Sequence, residues 1–577
     1  MKRPECWKQI LEHPRPQLRR ERYQVLKEGW TLNKLPIHVP YPPQSGKSGY
    51  AGRIGKRMVY ENCFTIEEKV FPRRMEKTYL RFGAVDQIAE VYLDDIYLGR
   101  HEGGYLSFSF EVSRILKRPG CSSKDPHVLR VVAEDSLSRV YPYGKQSKFP
   151  AGMFYTAVSG IWQRVWLETV TEKHVQRLIL TPDLHGIHIR VQENRTGWRH
   201  GHTGFSVQIT AVTCSFGGKE HGENVVLKDE REYHFENNFG YISLGQGPHL
   251  WTPETPWLYH LKISTDRDEV YTYAGLRTIE SRAEGGVPRL FLNGQKIFLH
   301  GVLDQGYYPE GIFLPSSLKE YGRDILRIKR LGFNCLRKHV KIEPETFYYL
   351  CDTLGMLVIQ DMVNSGNYHY LTSSLFSNLG ILKKPDTWFR NLGRERKLFF
   401  VSQMKKTIRK LYNHPCVAVY TIFNEGWGQF ESDRLYELAK RRDPTRLIDS
   451  TSGWYMQKKS DFYSRHIYYR NRILPSSVKP MLLSECGGYT LAAGKNKWKK
   501  TFGYGQCHSR KELTDKVLAM YREMVLPSIQ KGLCGSILTQ FSDVEGEING
   551  LYTSDRKICK VSPEEMRKIA EEIREKL

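Results

Sequence analysis

The sequence predicts a multidomain protein with a jelly-roll β-sandwich, an immunoglobulin-like β-sandwich and a C-terminal (β/α)8 TIM barrel. At 577 residues the chain is too long for one ordinary core. Up to about residue 283, apolar and polar residues alternate in short runs, as they do in half-buried strands. From about Gly285, apolar strands alternate with amphipathic helices, which is typical of a parallel sheet. The predicted domains are residues 1–172, 173–283 and 284–577.

Short runs with strand-like alternation fill both predicted sandwiches. In the first they are residues 58–66, 77–85, 88–110, 128–134 and 160–168. In the second they are residues 175–180, 186–191, 205–211, 258–263 and 270–276. Asp94-Asp95 and Gly103-Gly104 interrupt the longest run and indicate turns between paired strands. The patterns predict sheets with aromatic residues such as Trp162 and Trp166 packed between them.

Eight apolar runs are expected to form the parallel strands of the barrel. They are residues 297–304, 333–340, 357–362, 417–425, 447–453, 462–468, 481–485 and 536–543. Active sites of such barrels lie at the carboxyl ends of the strands. Nearly every run ends in polar or aromatic residues, which indicates a sugar-binding face. These residues are Asp304, Arg337, His339, Asp361, Glu425, Trp454, His466, Tyr468, Glu485, Gln540 and Asp543.

Two of these strand ends present a glutamate that is followed by glycines. One is Glu425 in VAVYTIFNEGWGQF, and the other is Glu485 in PMLLSECGGY, 60 positions further along the chain. Cleavage of a glycosidic bond needs a protonated carboxyl group to assist the leaving oxygen and an ionised carboxylate to attack the anomeric carbon. We therefore expect both glutamates to be catalytic, rather than to cap helices or to pair with arginines.

Composition and charge limit the classes of partner. Lysine and arginine outnumber aspartate and glutamate by 87 to 63, which gives a formal net charge of +24. Because the cations are scattered and no nucleic-acid motif accompanies them, a solvated basic surface is preferred to nucleic-acid binding. An anionic substrate is the third interpretation of this charge.

Cysteine spacing and the N-terminal segment bear on metal binding and location. None of the 11 cysteines forms a C-x-x-C pair, which argues against zinc and favours a reducing compartment. The N-terminal segment is basic without an apolar core of signal-peptide length, and no run approaches membrane-spanning length. The sequence predicts a cytoplasmic protein without membrane contact, metal or other cofactor.

Several motifs, taken together, make the chain similar to glycoside hydrolase family 2, the family of β-galactosidases, β-glucuronidases and β-mannosidases. The resemblance covers nearly the whole length and implies the same order of domains. The motifs are GIWQRVWLE at 160–168, NGQKIFLHGV at 293–302, GFNCLRKHVKIEPETFYYLCDTLGMLVIQDM at 332–362, NHPCVAVYTIFNEG at 413–426, PMLLSECGG at 480–488 and DVEGEINGLYTSDR at 543–556.

The resemblance implies roles for individual residues. Glu425 is similar to the general acid/base of the family, and Glu485 to its nucleophile. Asn424 is similar to the side chain that holds the sugar 2-hydroxyl. Arg337 and His339 resemble the family's second-strand pair near the nucleophile and the substrate. Tyr468 resembles the tyrosine that orients the nucleophile, so the implied activity is that of a retaining exo-β-glycosidase.

The sugar is less well defined by the sequence. A β-galactoside is the first expectation, with β-glucuronide, arabinopyranoside and galactofuranoside left open. Family glucuronidases bind the sugar carboxylate through an Asn-x-Lys motif, where this chain has Glu547-Ile548-Asn549 and an added acid, which argues against a uronic acid. The lysines of residues 496–500 are an alternative source of cations. A carbohydrate-binding protein without catalysis is the alternative from another class, and a homo-oligomer remains open.

Overall fold

The computed structural model describes residues 12–194, 204–215, 224–227, 231–368, 386, 393–494, 498 and 501–577. Its N-terminal part has two antiparallel sheets around one apolar core. In Arg57–Phe64 every second residue from Met58 to Asn62 is buried, because successive side chains of a strand point to opposite faces. The smaller sheet has the order Tyr23–Val25, Val165–Thr171, Glu76–Phe82, Phe108–Glu111. The larger has the order Leu35–Pro36, Trp30–Leu32, Arg57–Phe64, His127–Glu134, Ile88–Leu93, Ile96–Glu102.

A second pair of antiparallel sheets follows and encloses a separate apolar core. One has the order Val175–Pro182, Gly186–Glu193, Phe239–Ser243. The other has the order Asn224–Leu227, Phe205–Ser215, Leu258–Ser264, Glu269–Ala274, with Glu232–Phe235 also paired to Phe205–Ser215. Three smaller pairs are Val85–Asp86 with Gly160–Ile161, Gln146–Ser147 with Tyr155–Thr156, and Thr490–Leu491 with Gln506–Cys507.

Eight parallel strands form the barrel, and every residue of seven of them is buried, because helices cover the outside and side chains fill the inside. The first strand pairs with the eighth, and backbone pairing is interrupted only between the fifth and sixth of these described strands. In chain order they are Leu299–Asp304, Cys335–Lys338, Leu357–Asp361, Val417–Asn424, Leu447–Ser452, Tyr463–Ile467, Met481–Gly487 and Leu533–Thr539.

Helices and a small sheet surround the barrel. The sheet joins Ile279–Glu284, Val287–Leu292 and Gln295–Ile297 ahead of the first barrel strand. The helices of the described residues are Ser113–Leu116 in the N-terminal part and Leu318–Arg330, Glu345–Leu354, Arg394–Leu411, Ser432–Arg442, Arg510–Met520, Leu526–Ile529 and Pro563–Glu575 around the barrel, with a 3-10 turn at Gly46–Ser48 and a π-turn at Tyr521–Val525. None of them is long and apolar enough to span a membrane.

The predicted fold class is confirmed in its main features: a multidomain chain, a strand-rich N-terminal part and a parallel barrel whose eight strands occur in the predicted order. The jelly-roll and immunoglobulin-like topologies stay predictions. The domain limits at residues 172 and 283 also stay predictions, and strands Ile279–Glu284 and Val287–Leu292 pair across the second limit.

Candidate active site

Glu425 and Glu485 lie at the carboxyl ends of the fourth and seventh barrel strands. They are nearly buried, with 6% and 5% of their surface exposed. One carboxylate oxygen of each glutamate and a ring nitrogen of His466 all lie within 4.8 Å of one another. The two carboxylates therefore face the same small space. This distance limit is comparable with the separation of about 5 to 5.5 Å between the two carboxyl groups of enzymes that form covalent glycosyl intermediates.

A sharp turn after the fourth strand presents Glu425. Its φ of +52° is uncommon for a residue with a side chain, and its N–H donates to the Ser452 carbonyl at 2.9 Å. At Gly428, with φ +65°, a Cβ would lie 2.2 Å from the Ser365 carbonyl oxygen, so the turn requires glycine. Backbone strain of this kind persists where the surrounding structure fixes it, often at functional sites.

Arg337, on the second strand, contacts three other barrel strands through its guanidinium group. The group donates to Glu485 Oε1 at 3.0 Å, to both oxygens of Asp361 at 3.0 and 3.1 Å, and to Asn424 Oδ1 at 2.8 Å. The side chain is completely buried. Because a guanidinium fork has a fixed geometry, these contacts hold Glu485 and Asn424 in place.

The surroundings of Glu485 favour its ionised form. Burial alone would raise the pKa of this carboxyl group, but His466 and Arg337 outweigh burial and hold the pKa well below its ordinary value. The hydroxyl of Tyr468 also donates to Glu485 Oε2. Glu485 is thus a buried carboxylate that stays charged at neutral pH.

His466, on the sixth strand, lies between the two glutamates. Its Nδ1 is 2.9 Å from Glu425 Oε1 and 3.5 Å from Glu485 Oε2, and its Nε2 is 2.9 Å from the Ser452 hydroxyl. The Trp454 ring packs edge-on against the imidazole, with 5.3 Å between ring centroids. The sequence predicts His466 as a substrate ligand, whereas the structure shows it in contact with both carboxylates.

Two further predicted site residues surround the nucleophile position. Tyr468 stacks on Tyr504 with 3.9 Å between ring centroids, which fixes its hydroxyl against Glu485. His339 Nδ1 lies 2.9 Å from Asp361 Oδ2, and burial lowers the pKa of His339. Asp361 thus links His339 to Arg337, so the predicted second-strand pair shares one carboxylate.

Three predicted residues have other partners. Asp304 accepts a hydrogen bond from Lys338 at 2.6 Å, and Asp543 accepts one from Lys560 at 2.7 Å. Both lysines are buried, so these carboxylates neutralise their charge. Gln540 donates to Asn549 Oδ1 at 2.8 Å. None of the three has a contact with Glu425 or Glu485 among the described residues, and their assignment to substrate stays a prediction.

One residue of the N-terminal part, Tyr155, reaches the barrel and contacts Glu547, and the sequence alone does not reveal this contact. The hydroxyl of Tyr155 donates to Glu547, which also accepts from Asn549 Nδ2 at 3.0 Å. Burial raises the pKa of Glu547. Asn549 connects Glu547 to Gln540, which directly follows the eighth barrel strand, so this carboxylate lies at the same end of the barrel as Glu485. No local pattern marks Tyr155, because 392 positions separate it from Glu547.

Aromatic side chains of the loops that follow the barrel strands differ in whether they contact the site. The hydroxyl of Tyr368 donates to Glu425 Oε2 at 3.5 Å. Trp427 packs edge-on against Tyr368, with ring centroids 5.6 Å apart. Tyr307 is buried in an apolar cluster beneath the loops. Tyr370 and residues 371–385, in the long loop after the third barrel strand, lie outside the described residues, as do the lysines of 496–500.

Among the described residues, Glu425, His466 and Glu485 are the one group of His, Cys, Asp or Glu side chains that brings three possible metal-ligand atoms close together. Arg337 and Tyr468 already donate to Glu485. These donors supply the charge compensation that an ion would otherwise supply, so the arrangement suits carboxylate chemistry without a metal.

Residues 288–574 match the family model "Glycosyl hydrolases family 2, TIM barrel domain". The chain belongs to glycoside hydrolase family 2. Family 2 relatives include a β-galactosidase of Thermoanaerobacter pseudethanolicus, 22% identical over 415 residues that cover 67% of this chain and 47% of the relative. A β-glucuronidase of Bacteroides fragilis is 26% identical over 434 residues, which cover 71% of this chain and 56% of the relative. The chain thus spans about half the length of such relatives.

Solved family 2 structures share the fold over the whole described architecture. The β-D-glucuronidase of Dictyoglomus thermophilum has a TM-score of 0.69 at 17% identity, covering 96% of this chain and 98% of that one. A β-galacturonidase from Eisenbergiella tayi, bound to galacturonate, has a TM-score of 0.64 at 19% identity, with 96% and 98% covered. At these identities the similarity shows a shared fold and does not show a shared substrate.

Proposed function

We propose that the chain is a retaining exo-β-glycosidase that removes a terminal, non-reducing sugar by double displacement. The observation that carries the proposal is the pair of nearly buried carboxylates, Glu425 and Glu485, with oxygens within 4.8 Å and with Arg337 on Glu485. Their unequal surroundings suit one acid/base and one ionised nucleophile. Turnover of aryl β-glycosides, with the β-configured sugar as the first product, tests it.

In the first step Glu485 attacks the anomeric carbon while Glu425 gives its proton to the glycosidic oxygen. A covalent glycosyl–enzyme forms and the alcohol departs. The ionised Glu425 then accepts hydrogen bonds from His466 Nδ1 and from the Tyr368 hydroxyl, the two donors that contact it in the part of the chain that the structure describes. His466 Nε2 lies 2.9 Å from the Ser452 hydroxyl oxygen, and that hydroxyl itself donates to Ser484 Oγ at 2.9 Å, so the ring orientation is fixed from both sides.

In the second step water attacks the anomeric carbon, the bond between this carbon and Glu485 breaks, and Glu425 takes the proton of the water. Esterification removes the charge of Glu485, so Glu425 no longer faces a neighbouring anion and can act as a base. Asn424 accepts from Arg337 through Oδ1, which leaves its NH2 group to donate to the sugar. A hydrogen bond from this amide to the 2-hydroxyl would strengthen in the transition state and raise the rate of both steps.

The wall of the site favours a neutral sugar, with a β-galactoside as the first candidate. Glu547 is 4% exposed and lies at the same end of the barrel as Glu485, so a sugar carboxylate bound beside it would face a second buried anion. Its bonds from Tyr155 and Asn549 hold the carboxylate as an acceptor for sugar hydroxyls.

A β-glucuronide is the second candidate because of one cation in the same wall. The charge of Lys145 lowers the pKa of Glu547, opposing the larger effect of burial, and also lowers that of His339. Lys145 thus supplies positive charge to this region, with which a uronate would pair. Nitrophenyl galactoside, glucuronide, arabinopyranoside and galactofuranoside, assayed side by side, decide among these sugars. Binding of sugars without turnover of any of them would favour a binding protein.

Glu547→Gln is expected to shift specificity toward β-glucuronide. Removal of the buried negative charge relieves repulsion of the sugar carboxylate, and the ratio of kcat/KM for glucuronide over galactoside should rise by about tenfold, equivalent to about 1.4 kcal/mol. Glu545→Gln is the matched control, because its carboxylate accepts from the Thr156 N–H at 3.0 and 3.1 Å. An equal shift in both variants would contradict a specific role for Glu547.

Glu425→Ala is expected to slow hydrolysis most for substrates whose leaving group must be protonated. Hydrolysis of a phenyl glycoside should fall by about 10³-fold, whereas formation of the glycosyl–enzyme from a dinitrophenyl glycoside should remain fast. Azide should restore turnover and yield a β-glycosyl azide, because a small anion needs no general base. Equal losses for both leaving groups, or an α-azide, would be inconsistent with Glu425 as acid/base of a retaining enzyme.

A further inference from the structure

A strongly basic cleft lies at the base of the barrel, at the end opposite Glu425. Its walls include the last turns of helices Arg394–Leu411 and Ser432–Arg442, which precede the fourth and fifth barrel strands. The fourth strand, Val417–Asn424, has eight residues, so about 25 Å of strand separates this end of the barrel from the carboxylates. A ligand in the cleft would not touch the catalytic pair.

The cleft consists of two adjoining cavities of 370 and 790 Å³, which share Arg177, Lys406 and Arg409 in their walls. Strands of both N-terminal sheet pairs supply the facing walls. Among the described residues that line the cleft, Glu345 is the one carboxylate. The cationic side chains of this basic cleft are Arg15, Arg81, Arg177, Arg190, Lys405, Lys406, Arg409, Lys410, Arg441 and Arg442.

Most of these cations lack an acidic partner. Arg15 and Arg81 pair with Glu168, whereas none of the other eight has a carboxylate oxygen within 4.0 Å among the residues that the structure describes. Lysines and arginines at helix carboxyl ends interact favourably with the helix dipole, by about 0.3–1 kcal/mol each. That effect does not account for Arg177 and Arg190, which lie on strands.

The cations are close enough to repel one another. Burial, together with Arg409 and Arg442, lowers the pKa of Arg177 to about 10. Burial likewise lowers the pKa of Lys410, an effect that Glu345 offsets only in part. Concave walls of one charge focus the electrostatic potential, so a bound polyanion would relieve this repulsion.

We propose that the basic cleft binds a segment of an anionic polysaccharide that carries sulfate or carboxylate groups. Arginine forks match the geometry of both groups. Phe239, with 47% of its surface exposed, offers a ring face for sugar stacking in the larger cavity. The cavities suit a single flexible chain and are too small for a nucleic-acid duplex. The glycan class rests on the proposed glycosidase function, whereas anion binding rests on the cleft alone.

Binding of dextran sulfate and of neutral dextran to the full chain tests the proposal. Dextran sulfate should bind with an affinity that falls steeply as salt rises, because cation–anion contacts release counterions, and neutral dextran should not bind. Lys406→Glu/Arg409→Glu, which changes two exposed residues, should weaken dextran sulfate binding by at least tenfold and flatten the salt dependence. Its unfolding temperature should match that of the wild type, which shows that the variant folds.

Arg53→Glu/Lys56→Glu is the matched control, since it makes the same charge change at exposed residues outside the cleft. Equal losses in both variants would overturn the site in favour of general charge attraction. Single-stranded DNA that binds as tightly as dextran sulfate, with the same dependence on Lys406 and Arg409, would overturn the glycan assignment. Because no measurement here uses hydrolysis, failure of the glycosidase proposal is seen separately in the aryl glycoside assays.

Discussion

Replacing Glu485 with glutamine should abolish turnover of aryl glycosides, lowering kcat by at least about 10⁴-fold. The amide cannot attack the anomeric carbon, so no glycosyl–enzyme forms. Arg337 donates to Oε1 and Tyr468 to Oε2, so the amide oxygen can keep the bond from Arg337 while the amide NH2 donates to the Tyr468 hydroxyl oxygen, which should preserve the fold. Steady-state kinetics with the best aryl glycoside measures the loss, and thermal unfolding checks the integrity of the variant.

A 2-fluoro glycoside gives an independent measurement of the same prediction. Its fluorine slows the second step more than the first, so the wild-type protein should gain the mass of one fluorosugar on the peptide that contains Glu485. Glu564→Gln, which removes an exposed carboxylate on the C-terminal helix, is the control and should retain full activity and labelling. Near-normal turnover by Glu485→Gln, or a label on another peptide, would refute the nucleophile assignment.

Replacing Arg337 with methionine should damage both activity and stability. The guanidinium group is completely buried and donates to both Glu485 and Asp361, so its loss leaves two buried carboxylates without their cation. Removal of one partner from a buried ion pair costs about 3–5 kcal/mol. We expect a lower free energy of unfolding for the barrel and a kcat reduced by about 10³-fold, because Glu485 and Asn424 lose their positioning.

The same variant should alter the pH dependence. In the folded wild type the pKa values of Glu485 and Asp361 are lowered, so the stability they contribute is present above the ordinary carboxyl range and is lost as pH falls through the lowered values. Without Arg337 these pKa values rise, so the acid limb of kcat/KM should move to higher pH. Arg337→Lys keeps the positive charge but lacks the guanidinium fork, so its acid limb should lie between those of the wild type and Arg337→Met. An unchanged acid limb in Arg337→Met would contradict this account.

Much of the barrel could be predicted from the sequence because each strand is marked by a pattern among neighbouring residues. Most of the eight strands begin with apolar residues and end in polar ones, and each was expected within a few residues of its observed limits. Glu425 and Glu485 stand out because polar residues follow such runs at the strand ends. The same rule also selected Asp304 and Asp543, whose buried lysine partners no local pattern reveals.

Other contacts depend on chain segments that meet only after folding. Tyr155 reaches Glu547 from the N-terminal part, and Arg337 reaches Glu485 across 148 positions. His466 was expected to bind substrate, yet its distance to Glu425 follows from how the fourth and sixth strands lie in the barrel. The scattered cations of the sequence likewise give no sign of the basic cleft, which forms where helix ends meet strands of the sheets.

The amino-acid sequence by itself determined the order of strands and helices and the two glutamates at strand ends, since burial period and strand termination are short-range properties of the chain. Only the tertiary structure decided which charges neighbour which. It placed Arg337 and His466 beside Glu485, Tyr155 against Glu547 and eight cations without described acidic partners around one cleft. Electrostatic interactions depend on distance and burial in three dimensions, and neither quantity is encoded at fixed spacings along a sequence.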